Sequence, residues 1–211
     1  MAEILKIDSA SPDPALIARA ADFVRRGEVI AIPTDTLYGL AANPFDHAAV
    51  ERVFAIKGRP KNNPLLLLVD SLEMASELAA QLPAPFDKLA RQFWPGPLTI
   101  VVSASARLPS GVTAGTGTIG LRLPQAPIAV ALIRAAGCPI TATSANLSGE
   151  QDCSSAEQVE RSLGNRLPLI LDGGRSSNQK PSTVIDLSSA AWHIVREGAI
   201  SRREIEDCLG S

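Results

Sequence analysis

Aromatic residues are scarce in this chain, only 4% of 211, so its core is aliphatic. An Ala, Leu, Ile and Val core suits packed helices and sheets of an α/β protein better than an all-β sandwich. Cysteines are three, odd in number and far apart, at Cys138, Cys153 and Cys208. Without a CxxC pair they exclude a zinc knuckle or redox motif and read as inert thiols in a reducing compartment. His47 and His193 are the two histidines, too distant for a metal-spaced pair, and nothing supports a Ser-His-Asp triad. No apolar run approaches the ~18 residues that span a bilayer, and the acidic start Met-Ala-Glu is not a secretory leader. The expected setting is soluble and cytoplasmic. The formal net charge of −2 argues against a nucleic-acid binder that works by bulk charge; any RNA would have to meet a local patch.

What is present alternates between helix and strand signals. Apolar residues at Leu16, Ile17, Ala20, Ala21 and Val24 mark a helix over Pro14–Arg26, stopped by Gly27. A second helix, Asp46–Lys57, is capped by Asp46 and ended by Gly58. Ser71 can cap another, and Pro127–Ala136 is closed by Gly137. Ser155–Gln158 and Ser201–Glu204 fit capping boxes. Strands are expected at Val29–Ile32, Leu65–Val69, Leu98–Val102, Ile119–Leu123, Pro139–Thr143, Leu167–Leu171, Thr183–Leu187 and His193–Val195. Several strands adjoin without an intervening helix. The expected fold is therefore one α/β domain over residues 1–211, its motif-bearing core at about 10–200, with a twisted mixed (parallel and antiparallel) sheet flanked by helices.

Gly115-Thr-Gly-Thr-Ile-Gly120 matches GxGxxG but runs into a strand. A dinucleotide fingerprint needs a helix N-terminus for its pyrophosphate, so this reads as a Gly/Thr loop. The densest polar chemistry lies in Lys57-Gly-Arg-Pro-Lys-Asn-Asn-Pro64, between a helix and an apolar strand. Three cations on a backbone stiffened by two prolines suit a polyphosphate. Three more polar segments sit at strand ends: Pro33-Thr-Asp-Thr-Leu-Tyr-Gly-Leu40, Gly120-Leu-Arg-Leu-Pro124 and Thr141-Ala-Thr-Ser-Ala-Asn-Leu-Ser-Gly149. Ligands of open α/β sheets collect at such ends. Each segment has a plainer reading: a turn at Thr34 to Thr36, a structural ion pair at Arg122, a helix cap at Ser144 and Asn146.

Together with Trp94-Pro-Gly-Pro-Leu-Thr99 and Pro181-Ser-Thr-Val-Ile-Asp186, these segments resemble, in order, the motifs of the YrdC family of threonylcarbamoyl-AMP synthases. The likeness spans roughly Val29 to Arg196 and implies a YrdC-like α/β fold with a concave basic pocket. It implies an L-threonylcarbamoyladenylate synthase, joining L-threonine, bicarbonate or carbon dioxide, and ATP, with pyrophosphate released, for tRNA modification. By the same resemblance Lys57, Arg59, Ser144 and Asn146 surround the triphosphate. Arg59, Asn63, Thr118, Ala142, Ser144 and Arg196 hold ATP, and Thr36, Arg122 and Ser182 hold threonine. Mg²⁺ is implied with the triphosphate, without protein side-chain ligands. Some relatives have a His against threonine where this chain has Leu68, and Asp35 replaces a Glu common in the motif. Implied partners are downstream tRNA threonylcarbamoyl-transfer proteins, with weak RNA contact and no membrane. Two other readings fit the same residues: a basic RNA-binding module, and a carbamoyl-adenylate enzyme with another acceptor.

Overall fold

The computed structural model of the chain describes residues 1–58, 63–176 and 180–210. In chain order the elements are β1 (Glu3–Lys6), α1 (Pro14–Arg25), β2 (Ile30–Ile32), β3 (Gly39–Ala41), α2 (His47–Lys57), β4 (Leu66–Leu68), α3 (Leu72–Leu78), α4 (Ala84–Phe93), β5 (Leu98–Ser103), α5 (Ser110–Thr113), β6 (Thr118–Arg122), α6 (Pro127–Ala136), β7 (Ile140–Thr141), β8 (Thr143–Ser144), α7 (Ala156–Leu163), β9 (Leu169–Asp172), β10 (Thr183–Asp186), β11 (His193–Arg196) and α8 (Arg202–Leu209).

Local chemistry explains where the helices start and stop. In α1 Pro14 opens the first turn and the Asp13 carboxylate accepts from the Ala15 N–H at 2.7 Å. Its buried residues Ile17, Ala20, Ala21 and Val24 fall at i, i+3, i+4 and i+7, one face of a 3.6-residue helix. Asp46 caps α2 and Gly58 ends it in the left-handed region at φ 60, as its sequence suggests. The Ser201–Glu204 capping box forms in full. That of Ser155 does not. Ser155 accepts from the Gln158 N–H, but Gln158 Oε1 turns to the N–H and hydroxyl of Ser154, at 2.7 and 3.0 Å.

The strands form two mixed sheets where one was expected. The five-stranded sheet has order β1-β9-β2-β3-β8; β1, β9 and β2 are parallel, and β3 and β8 antiparallel to their neighbours. The six-stranded sheet has order β11-β10-β5-β6-β4-β7. Within it β10 with β5 and β6 with β4 are parallel, and the remaining pairs antiparallel. The division occurs inside the expected strand Pro139–Thr143. Ile140 and Thr141 pair with β4, whereas Thr143 and Ser144 pair with β3. Ala142 is the switch between sheets, and its N–H bonds to the Leu66 carbonyl at 3.0 Å.

Two aliphatic clusters fill the interior. One packs α1 and α6 against β2, β9 and the Leu68 side of β4, through Ile17, Val24, Ile30, Leu132, Ile140 and Leu169. The larger lies under the six-stranded sheet and between the sheets, with Tyr38, Phe86, Leu89, Leu98, Ile100, Ile119 and Ile185. Burying one such side chain contributes roughly 1.5–3 kcal/mol. Phe86 and Trp94 meet edge to face at 5.4 Å, one of the few aromatic contacts this chain can make.

Candidate active site

Successive residues of a strand face opposite sides of the sheet, and in the six-stranded sheet this alternation separates core from cavity. Leu98, Ile100 and Val102 of β5, Ile119 and Leu121 of β6, and Ile185 of β10 point into the core. Their neighbours Thr99 and Val101, Thr118, Gly120 and Arg122, and Val184 and Asp186 line a cavity of about 470 Å³ on the other face. Gly120 keeps the floor flat: a Cβ there would come within 3.1 Å of Thr99 Cγ2. The opposite wall is the five-stranded sheet at Leu37 to Gly39 and Ala142 to Ser144. Such a volume is in the range of small-molecule sites.

The Ser144 wall is braced from behind by Lys57. This lysine is 4% exposed, and its Nζ donates to the carbonyl oxygens of Ser144 and Asn146 at 2.6 and 2.9 Å. It also reaches Asn146 Oδ1 at 3.1 Å and Ser144 Oγ at 3.4 Å. Ser144 Oγ donates to Asn146 Oδ1 at 2.7 Å, and Asn146 Nδ2 donates to the Glu150 carbonyl at 2.7 Å. The sequence reading placed Lys57 facing the ligand as a mobile charge. α2 aims it inward, where its ammonium ties down the loop that carries Ser144.

At another wall Arg122 is tied to three residues in two segments. Its Nε donates to Gly96 O at 3.0 Å, Nη1 to Thr36 Oγ1 at 3.0 Å, and Nη2 to Asp35 Oδ1 at 2.5 Å. These bonds use three of the five guanidinium N–H donors. Thr34 Oγ1 gives its one hydrogen to the Leu37 carbonyl at 2.6 Å, so its 3.0 Å contact with Thr36 Oγ1 takes the proton from Thr36. Thr36 therefore has its hydrogen committed and a lone pair remaining. Toward a ligand it can accept a hydrogen bond but not give one, while Arg122 can only give. Side by side they match a carboxylate and a neighbouring N–H or O–H group.

Ser182 and Arg196 form the third side. Arg196 Nη2 donates to Ser182 O at 2.9 Å and reaches Ser182 Oγ at 3.2 Å, and Ser182 Oγ lies 2.9 Å from Thr99 Oγ1. Burial pulls the Arg196 guanidinium below its ordinary value; Asp152 opposes this and the like charge of Arg122 adds to it. Cys153, beside the cavity in sequence, has its thiol pushed up by burial and then by Asp152, so it is no thiolate nucleophile. Among the described residues no cluster of His, Cys, Asp and Glu could hold a metal ion, and no helix is long and apolar enough to cross a membrane.

Of the residues singled out from sequence, Thr36, Asn63, Thr118, Arg122, Ala142, Ser144, Ser182 and Arg196 all line the one cavity. Lys57 and Asn146 stand behind it. Leu68 is not in its lining: it shares one face of β4 with Leu66, which lines the cavity, but is itself fully buried in the α1–α6 cluster. Arg59 lies outside the described residues, as do Lys61 and Asn62. The described lining carries Asp152 and Asp186 beside Arg122 and Arg196. Tyr38, Thr99, Asp152 and Asp186 were missed. For Thr99 and Asp186 the signal was there, as polar residues alternating with apolar ones in β5 and β10. Tyr38 and Asp152 had no comparable signal.

Residues 22–198 match the Sua5/YciO/YrdC family, described as telomere recombination. A threonylcarbamoyl-AMP synthase of Pyrococcus abyssi (strain GE5 / Orsay) is 41% identical over 191 residues, 90% of this chain and 56% of that protein. The chain thus spans little more than half of that relative. A Mycobacterium tuberculosis (strain ATCC 25618 / H37Rv) relative is 36% identical over 205 residues, 96% of this chain and 94% of that protein. Among solved structures, that of P. abyssi Sua5 complexed with L-threonine superposes with a TM-score of 0.95 at 39% identity, covering 99% of this chain and 61% of that one.

Proposed function

Because the chain belongs to the Sua5/YciO/YrdC family, we propose that it is an L-threonylcarbamoyladenylate synthase acting in tRNA threonylcarbamoylation in the cytoplasm. Residues 1–211 would act as one catalytic unit. The observation that carries the reading is the polarity at Arg122 and Thr36: two spare guanidinium donors beside a hydroxyl that can only accept. That pair fits the carboxylate of an α-amino acid and its amine or hydroxyl hydrogens, and Ser182 completes the threonine subsite. A P. abyssi relative was solved with L-threonine.

ATP lies along the other walls, against Asn63, Thr118, the Ala142 backbone and Ser144, with Arg196 over the nucleotide. Arg59 neutralises the triphosphate, and Lys57 and Asn146 hold the Ser144 loop in register. Mg²⁺ would come with the phosphates of the substrate and neutralise their charge, since it binds mainly through phosphates and waters rather than through a protein cage. The deprotonated threonine amine adds to the carbon of carbon dioxide with loss of a proton, or to that of bicarbonate with loss of water, giving a carbamate. A carbamate oxygen then attacks the α-phosphorus of ATP, and pyrophosphate leaves. The amine is itself the nucleophile, so positioning and charge stabilisation are what this chemistry asks of the protein. Downstream tRNA threonylcarbamoyl-transfer proteins would consume the product.

Pyrophosphate release from ATP tests the proposal. It should require L-threonine and bicarbonate together and yield threonylcarbamoyl-AMP by mass spectrometry. Release with a different amine in place of threonine would indicate another acceptor. No turnover with tight duplex RNA binding would replace the enzyme by an RNA-binding module.

A further inference from the structure

We propose that Asp35 is a positioning residue for the amino-acid carboxylate: it touches no substrate and acts by fixing the plane of Arg122. The inference rests on the threonine-binding reading of Arg122 and adds a residue which that reading does not assign. Asp35 and Arg122 form the most buried ion pair among the described residues, with side chains 10% and 5% exposed. Asp35 Oδ1 takes the Nη2 hydrogen, while Asp35 Oδ2 has no hydrogen-bond partner among the described residues. A carboxylate kept for local structure would cap backbone N–H groups, as Asp46 does at α2. This one gives its hydrogen bonding to Arg122.

Its position separates it from substrate. Asp35 is absent from the lining of the 470 Å³ cavity and faces a smaller chamber of about 190 Å³, lined by Pro33, Gln125, Ile128, Gly174 and Ser176. The 34–36 segment is the partition: Thr36 turns to the large cavity, Asp35 to the small one, and Arg122 Nη1 and Nη2 grip one each. With Gly96 O on Nε, three anchors from two loops define the guanidinium plane. A buried ion pair contributes little net stability, because desolvation offsets the attraction. Its geometric effect is larger. Bidentate recognition of a carboxylate depends on the angle of the fork, and small misplacements are costly in rate. Without Asp35, Nη2 loses its anchor and the guanidinium is free to tilt.

The chamber makes a direct test available. In Asp35→Ala the lost carboxylate opens onto this space, so a small carboxylate, formate, can take its place beside Nη2. Kinetics of pyrophosphate release should give a threonine KM raised at least about tenfold in Asp35→Ala and less in Asp35→Asn, which keeps an oxygen toward Nη2. The ATP KM should stay within about threefold of wild type, since ΔΔG values at separate subsites are nearly independent. Added formate should restore the threonine KM of Asp35→Ala and leave Asp35→Asn unchanged. Equal losses for both substrates in Asp35→Asn, or no rescue of a folded Asp35→Ala, overturns the inference while an active wild type preserves the proposed activity. A wild type that neither binds L-threonine by calorimetry nor releases pyrophosphate overturns both.

Discussion

The Lys57 ammonium joins the carbonyl oxygens of Ser144 and Asn146, two residues apart in sequence and 87 and 89 positions from the lysine. One cation thereby reinforces a loop whose backbone is also paired, Ala145 N–H to Tyr38 O and Ser148 N–H to Lys57 O. Replacing Lys57 by Met removes the cation and leaves its acceptors buried. We expect a loss of about 1–3 kcal/mol in urea unfolding together with loss of pyrophosphate release. Unchanged stability would mean that the brace is dispensable and that Lys57 acts on the ligand directly.

Thr36 should respond to the chemistry of its substitution more than to its size. Thr36→Ser keeps the hydroxyl that accepts from Arg122 and donates to Thr34, and should change the threonine KM by no more than about threefold. Thr36→Val is close in shape but lacks the oxygen, and should raise it by about ten- to a hundredfold, or roughly 1.4–2.8 kcal/mol. Steady-state kinetics on both variants decides; similar losses would point to packing instead.

Tyr38 predicts an alkaline dependence of stability. Its hydroxyl donates to the Gly174 carbonyl at 2.6 Å, and burial, then the charge of Asp172, pushes the phenol well above its ordinary 10.0. A raised folded value means the folded chain holds this proton more tightly than the unfolded chain. The contribution is therefore complete below pH about 10 and is lost as pH rises above it. Tyr38→Phe should cost about 1 kcal/mol near neutral pH. The gap between wild type and variant should narrow in denaturant titrations run at successively higher pH beyond 10. A gap constant with pH would contradict the assignment.

The sequence made the helices easier to read than the sheets. Caps and stops are local, so Asp46, Gly58, Pro127 and Gly137 marked α2 and α6 almost to the residue. β3 was hidden because Gly39–Ala41 lies in a stretch dense in turn-forming and hydroxyl residues, and its pairing partners β2 and β8 are set only by tertiary structure. The split at Ala142 was likewise invisible, since Pro139–Thr143 reads as one unbroken apolar-to-polar run. In the site, eight residues singled out from sequence converge on one cavity, because strand alternation and motif order are both written in the chain. The burial of Lys57 was not legible in the sequence: lysines default to water, and it takes the oxygens contributed by β8 and the loop after it to make that burial tolerable. Arg122 forms the ion pair with Asp35 and also lines the cavity, with three of its donors given to protein and two remaining.

The change of sheet at Ala142 limits how this cavity can open. Its two walls share a covalent thread, β7 in one and β8 in the other. Layers joined in this way cannot shear past each other at that end. The crossing is also pinned by hydrogen bonds, Thr141 N–H to Ala42 O and Ala142 N–H to Leu66 O, both at 3.0 Å. Ser144, two residues further on, therefore stands beside a fixed corner of the cavity, and what it holds is held against a wall tied into both sheets.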